Sequence, residues 1–114
     1  MSLESEWGTT LRFAAAKINE DALEDALAEI EGFASDHGRP RSRDAKIEPY
    51  SIQHAFQTRD RWDDTDREAA NAISSKEKKL TDKLKKSLRN IPIVKGVEVE
   101  YDGDGWYNIL VNLR

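Results

Sequence analysis

Residues 93–113, IVKGVEVEYDGDGWYNILVNL, decide the fold because apolar and polar side chains alternate along them on both sides of a glycine-containing turn. Such alternation is typical of strands with one buried face, and directly paired residues must share a face. Apolar residues match when Tyr101 pairs with Tyr107, Val99 with Ile109 and Val97 with Val111. A tight Gly103–Asp104 turn would instead oppose Val99 to Asn108. We therefore predict a hairpin with a five-residue connection, Asp102 to Trp106, and a glycine at positive φ.

Upstream of the hairpin the apolar spacing changes from two residues to three and four, which is the spacing of one helix face. Residues 65–91 give the clearest helix, because Thr65 and Glu68 have capping-box spacing and Pro92 ends the pattern. Residues 1–36 are also helical, either as one long helix or as two helices that meet near Asn19. The sequence therefore predicts two or three helices outside the segment 37–59.

The segment between these helices is harder to interpret. Residues 37–47, HGRPRSRDAKI, have no periodicity and predict a basic loop. Pro49 can occupy the first turn of a short helix over 49–59. An edge strand over 46–52 is the less favoured alternative, because proline removes a backbone donor from a ladder.

These elements predict a single α+β domain over residues 1–114, with three or four helices packed with a C-terminal antiparallel β-hairpin. A chain of 114 residues is long enough for one core and too short for two large ones. It contains no cysteine, so disulfides, thiolate zinc sites and cysteine nucleophiles are excluded. No apolar run is long enough to span a membrane, and the first residues lack the basic cluster of a signal peptide. We expect a cytoplasmic protein.

Charge is unevenly distributed along this acidic chain, whose net charge is −4. Residues 1–36 carry nine acidic and two basic side chains, whereas residues 76–89 carry seven basic ones. The basic helix can contact phosphates, or it can lie against the acidic helices of the same chain. The candidate nucleic-acid-binding residues are Lys78, Lys79, Lys83, Lys86, Arg89, Arg39, Arg41 and Arg43.

The sequence contains no recognisable catalytic centre. It has no phosphate-binding loop, no HExxH and no GxSxG. As a general base, His54 would need an orienting carboxylate and a reacting group, and the sequence fixes neither. His37 lies beside an expected helix end, where a cation suits the negative end of the helix dipole. The acidic group Asp60, Asp63, Asp64, Asp66 and Glu68 can bind a cation, but a helix N-terminus collects acids for electrostatic reasons alone. We therefore expect no enzyme, no metal and no cofactor.

The remaining signal is the side of the hairpin that faces away from the expected core. It carries Trp106 and Leu110 among Glu98 and Glu100, and tryptophan is enriched at the centres of protein interfaces. A free hairpin edge can also accept another strand. We therefore predict a non-enzymatic protein-interaction module, an adaptor, inhibitor or assembly component, that binds another protein or itself through Trp106, Leu110, Glu98 and Glu100. The alternatives are that a helix over 50–59 covers this side, or that the protein is nucleic-acid-associated through the basic helix.

Overall fold

The computed structural model describes the backbone of residues 9–62 and 67–114, and the side chains of these ranges from residue 21 onward. The elements, in chain order, are α1 (Thr9–His37), β1 (Arg39–Pro40), β2 (Lys46–Glu48), β3 (Ser51–Gln57), α2 (Arg67–Leu88), β4 (Val94–Gly103) and β5 (Trp106–Leu113). The strands form one antiparallel sheet in the order β1–β3–β5–β4, and β2 pairs with the same edge of β3 as β1. The fold is α+β. None of the described helices is long and apolar enough to cross a membrane.

The prediction of three or four helices with a separate C-terminal hairpin is wrong, because the described residues form two helices and five strands. One helix runs through Asn19 without a turn. The segment 49–59, predicted as a short helix, contains β3, and the basic loop 37–47 contains β1 and the start of β2. The predicted cap Thr65 and the apolar side chains before residue 21 lie outside the described residues.

Pro49 explains why the segment 49–59 is a strand. It lies with Tyr50 in a two-residue turn, flanked by the paired residues Glu48 and Ser51. A turn uses the fixed φ of proline and does not need its missing donor, so Pro49 starts a hairpin and not a helix. Ile52 and Phe56 then face the core at the period of a strand, together with His54.

The predicted hairpin register is confirmed. Tyr101 pairs with Tyr107, Val99 with Ile109 and Val97 with Val111. The connection is tighter than predicted, because Gly103 still pairs with Trp106 and only Asp104 and Gly105 remain in the turn. Both have positive φ, 50° and 82°, as the turn type best suited to hairpins requires. Asp102 has no partner on β5 and forms a bulge in β4. This extra residue brings Tyr101 into register with Tyr107.

Both helices pack on one face of the sheet. The buried residues of that face belong to the three long strands, β3, β4 and β5, and they contact apolar residues of α1 and α2 in a single core. The buried set includes Ala26, Ile30, Phe33 and Ala34 from α1, Leu80, Leu84 and Leu88 from α2, and Ile52, Phe56, Val99, Tyr107, Ile109 and Val111 from the sheet. The opposite face of the sheet therefore has no helix against it in the described part of the chain.

Hydrogen bonds fasten the hairpin turn to the segment that follows β3. The amide of Thr58 donates to the carbonyl of Gly105 at 2.7 Å. The Tyr107 hydroxyl donates to the Asp60 carboxylate at 2.8 Å, and the Tyr101 hydroxyl donates to the Asp60 carbonyl at 3.1 Å. Burial, together with the bond to Asp60, raises the pKa of Tyr107 above its ordinary value. The hairpin turn is thus held by Thr58 and Asp60 as well as by the pairing of β4 with β5.

We expect Gly105→Ala to lower the free energy of unfolding more than Gly103→Ala. Both glycines have positive φ, which costs an L-residue about 1–2 kcal/mol. A Cβ at Gly105 would also meet the Thr58 carbonyl and the Arg61 guanidinium, whereas a Cβ at Gly103 meets no atom within 4 Å. Urea denaturation followed by tryptophan fluorescence measures the difference. Equal losses in the two variants would contradict the close approach at Gly105.

Candidate functional site

The four residues predicted to bind a protein lie together on the face of the sheet that the helices leave open, which we call the outer face. Glu98 pairs with Leu110, and Trp106 lies one strand repeat beyond Asn108 on the same side of β5. Glu98 and Glu100 are exposed, whereas Trp106 and Leu110 are half-buried. The outer face carries Glu98 and Glu100 on β4, Trp106, Asn108, Leu110 and Asn112 on β5, Gln53 and Ala55 on β3, and Arg39, Arg41, Lys46 and Glu48 beside them.

β3 extends the outer face and does not cover it. The alternative that residues 50–59 form a helix over Trp106 and Leu110 is wrong. Residues 51–57 form a strand that pairs with residues 106–112 of β5. Gln53 lies beside Leu110, and Ala55 lies beside Asn108. These neighbours were missed because the spacing of Ile52, Ala55 and Phe56 also fits a helix. The signal for a strand was the alternation of the polar residues Ser51, Gln53 and Gln57 with Ile52, His54 and Phe56.

A shallow open depression of about 650 Å³ occupies the centre of the outer face. Its floor includes Ala55 and Leu110, and its walls include Glu98, Glu100 and Lys46. Small and apolar side chains at the centre with charged ones around them resemble the division of a protein interface into core and rim. Gln53 and Asn108 also line the depression, so it offers hydrogen-bonding groups as well as apolar ones.

Charge is divided across the outer face. Of its acidic residues, Glu98 and Glu100 lie on β4 at one side, whereas Glu48 lies on β2 at the other side, 3.8 Å from Lys46. Its basic residues lie at the other side, where Arg39 belongs to β1, Arg41 follows it and Lys46 belongs to β2. The guanidinium of Arg41 lies 4.9 Å from the centre of the Trp106 ring, in a cation–π contact. One side of the Trp106 ring is thereby covered by a cation.

The edges of the hairpin are less available than its face. The edge of β5 pairs with β3, and the free edge of β4 is capped by side chains of α2. The Thr81 hydroxyl accepts a hydrogen bond from the Val99 amide at 3.0 Å, and the Glu77 carboxylate accepts one from the Tyr101 amide at 2.8 Å. These amides would otherwise point outward to another strand. Strand addition is therefore blocked along this part of β4.

The predicted nucleic-acid-binding residues fall on two sides of the molecule. Arg39 and Arg41 lie at the outer face, and Arg43 follows them in the loop before β2. Lys78, Lys79, Lys83 and Lys86 belong to α2 in the helical layer, and Arg89 follows it. Lys78 pairs with Asp82 at 3.1 Å on the same helix, and Lys83 shares a groove with Glu29 and Asp36 of α1. Within the described ranges, no ion pair joins α1 to α2.

His54 lies on the helix-facing side of the sheet and is 7% exposed. Its Nε2 has no hydrogen-bond partner among the described residues. Burial lowers the pKa of His54, although the charges of Glu31 and Asp44 act in the opposite direction. Burial therefore favours the neutral form of this imidazole, although His54 also lines the depression of the outer face.

The other candidate catalytic and metal-binding residues are dispersed. The Nδ1 of His37 lies 2.8 Å from the Phe33 carbonyl of its own helix. The Asp60 carboxylate accepts a hydrogen bond from the Tyr107 hydroxyl and lies 3.6 Å from the Lys76 ammonium. Asp60 therefore helps to hold the hairpin turn to the segment that follows β3. Asp63, Asp64 and Asp66 lie outside the described residues. Where side chains are described, no three histidine or acidic residues are grouped to hold a metal.

We expect Thr81→Val to lower stability by about 1–3 kcal/mol, because it leaves the Val99 amide without its acceptor. The exchange of the Val99 amide hydrogen with solvent, measured by NMR, is expected to accelerate. Ser87→Ala removes an exposed hydroxyl from the same helix and serves as the control. Unchanged exchange at Val99 in Thr81→Val would show that the hydroxyl does not cap the edge.

Comparison with known proteins found no relative of this chain. No family model matches the chain, and neither do the curated proteins nor the solved structures that were searched. What the protein does must therefore be inferred from the arrangement of its own residues.

Proposed function

We propose that this chain is a non-enzymatic protein-interaction module that binds a partner protein through the outer face of its sheet. Trp106 and Leu110 are the central contacts in this proposal, and Glu98 and Glu100 select the partner by charge. We further propose a cytoplasmic location, because the chain has no cysteine to stabilise it in an oxidising compartment.

The observation that carries the proposal is that an ordered sheet face with a half-buried tryptophan and leucine has no helix against it in the described part of the chain. A face-on mode of binding is favoured over strand addition because Thr81 and Glu77 already satisfy amides of the free β4 edge. Aromatic and aliphatic side chains on a rigid sheet can contribute several kcal/mol to an interface with little loss of conformational entropy.

We expect Leu110→Asp and Trp106→Ala to abolish capture of a protein partner, because a charge or a void would replace the centre of the interface. The tagged protein is incubated with nuclease-treated lysate of its source organism, and bound proteins are identified by mass spectrometry. Ser75→Asp adds the same charge as Leu110→Asp at an exposed position of α2 and is the matched control. Circular dichroism shows whether each variant is folded.

The proposal predicts that the wild type and Ser75→Asp retain the same proteins and that Leu110→Asp and Trp106→Ala lose them. If folded Leu110→Asp and Trp106→Ala capture the same proteins as the wild type, the outer face is not the binding surface. If the wild type captures no protein and does not associate with itself, the interaction module is excluded.

A second candidate function is binding to nucleic acid through α2. It is favoured by the exposed Lys79 and Lys86, which make no ion pair with a described residue, and by the exposed Arg89 after the helix. The acidic net charge of −4 and the separation of the arginines at β1 from this helix weigh against it. We therefore rank it below the protein-interaction module.

If α2 binds nucleic acid, labelled RNA or DNA oligonucleotides should bind in fluorescence anisotropy at about 50 mM salt and dissociate steeply as salt rises. Lys79→Glu with Lys86→Glu should abolish this binding, whereas Leu110→Asp should leave it unchanged. Absence of binding by the wild type at low salt would exclude this second function.

A further inference from the structure

We propose that the partner of the outer face is a second copy of this chain, stacked face to face about a two-fold axis parallel to the strands. The inference rests on the proposed function, since it takes the outer face as the binding surface and names what binds there. It follows from the order of charges across the sheet.

The central row of the outer face crosses all four strand positions. Glu98 pairs with Leu110, Leu110 pairs with Gln53, and Gln53 pairs with Lys46. The row therefore runs from an acid through two uncharged residues to a base. With strands about 4.8 Å apart, its charged ends are separated by roughly 14 Å, too far to form an ion pair with each other.

The neighbouring rows are less simply ordered. Glu100 pairs with Asn108, Asn108 pairs with Ala55, and the backbone amide of Arg41 donates to the carbonyl of Ala55 at 2.9 Å. The Arg41 guanidinium reaches back over the Trp106 ring of β5, and the row on the other side ends in the acid Glu48 on β2. The central row therefore carries the clearest polarity, with its acid on β4 and its base on β2.

The order of charges in the row determines which two-fold arrangement of two copies is favourable. A two-fold axis parallel to the strands, between β3 and β5, exchanges the two sides of the face, so Glu98 of one copy lies over Lys46 of the other. An axis across the strands keeps each side over itself and would bring acid onto acid. Like charges in direct opposition are unfavourable, so only the first arrangement is complementary.

The charges at the two ends of the row are available for such contacts. Glu98 and Glu100 are exposed and form no ion pair within 4 Å in the described part of the chain. Lys46 lies 3.8 Å from Glu48 on its own strand, but its side chain is 69% exposed. Such an exposed pair contributes little and can yield to a better one.

The size of the face sets the expected affinity. Four strand positions and four rows cover roughly 20 Å by 20 Å, which is smaller than the ~800 Å² that each partner of a standard complex buries. The dimer should therefore be weak and form at high protein concentration. Two stacked sheets about 10 Å apart would leave room for Trp106 and Leu110 between them.

Sedimentation velocity from about 10 µM to 1 mM tests the proposal, a range chosen for a small interface. The wild type should shift from monomer to dimer, and added salt should weaken the dimer. Glu98→Lys and Lys46→Glu should each weaken self-association at least tenfold, because each places like charges opposite one another twice per dimer. Glu24→Lys changes an exposed residue of α1 by the same charge and should leave the dimer unchanged.

The decisive sample is an equimolar mixture of Glu98→Lys with Lys46→Glu. In the proposed dimer each substituted charge then meets an opposite charge, so the mixture should associate although neither variant does so alone. The double variant E98K/K46E should regain self-association for the same reason. Failure of both the mixture and the double variant to associate would overturn the arrangement.

A wild type that stays monomeric over the whole concentration range would also overturn it. The proposed function would then stand or fall separately, by whether a different protein is captured by the wild type and lost in Leu110→Asp. A dimer that Glu98→Lys and Lys46→Glu leave unchanged would place self-association on another surface.

Discussion

The pairing of β3 with β5 is the constraint on which the rest of this structure depends. It runs from Ser51 opposite Asn112 to Gln57 opposite Trp106 without interruption. A two-stranded hairpin alone is marginal in water, and a third long strand makes the sheet broad enough to cover two helices. The same pairing stacks the Phe56 ring on the Tyr107 ring, with centres 5.4 Å apart, in the middle of the core. β3 therefore joins α1 directly to the hairpin, since it packs against α1 and pairs with β5.

This pairing also separates the two faces of the molecule by chemistry. The face towards the helices carries aromatic and aliphatic residues together with a neutral, buried His54. In the described part of the chain, the outer face has a small apolar centre between an acidic border on β4 and a border that carries Lys46 and the arginines together with Glu48. A chain with 35% charged residues can therefore build one core and still present an ordered pattern of charge. The order of that pattern, more than its net sign, points to a partner.

The sequence predicts the C-terminal half of the fold better than the middle. The hairpin register follows from apolar matching alone, because a shift by one residue would move Val99 and Ile109 to the polar side. The bulge at Asp102 does not follow, since it depends on how a two-residue turn meets that register. β3 was missed because Ala55 is apolar on the outer face and Pro49 suits a helix start as well as a turn. Both ambiguities are resolved only by the long-range pairing with β5.

The predicted binding residues gather on one face because all of them were assigned from the hairpin register. Their basic counterparts could not be predicted, because β2 and β3 had to be placed before Lys46 could lie in the row of Glu98. The caps on β4 are likewise invisible in the sequence: Thr81 and Glu77 are ordinary polar residues of a helix until the strand lies beside them.

Because Thr81 and Glu77 cap the free edge of β4, α2 protects this edge from pairing with a strand of another molecule. The strand that they shield contains Val97, Val99 and Tyr101, whose β-forming side chains suit a template for intermolecular pairing once its amides are free. This protection lasts only while α2 is packed against the sheet. A local opening that detaches α2 would expose the edge of β4 while the hairpin is still intact. Aggregation of this protein would then begin from a nearly native molecule, and its rate would follow the detachment of one helix and not global unfolding.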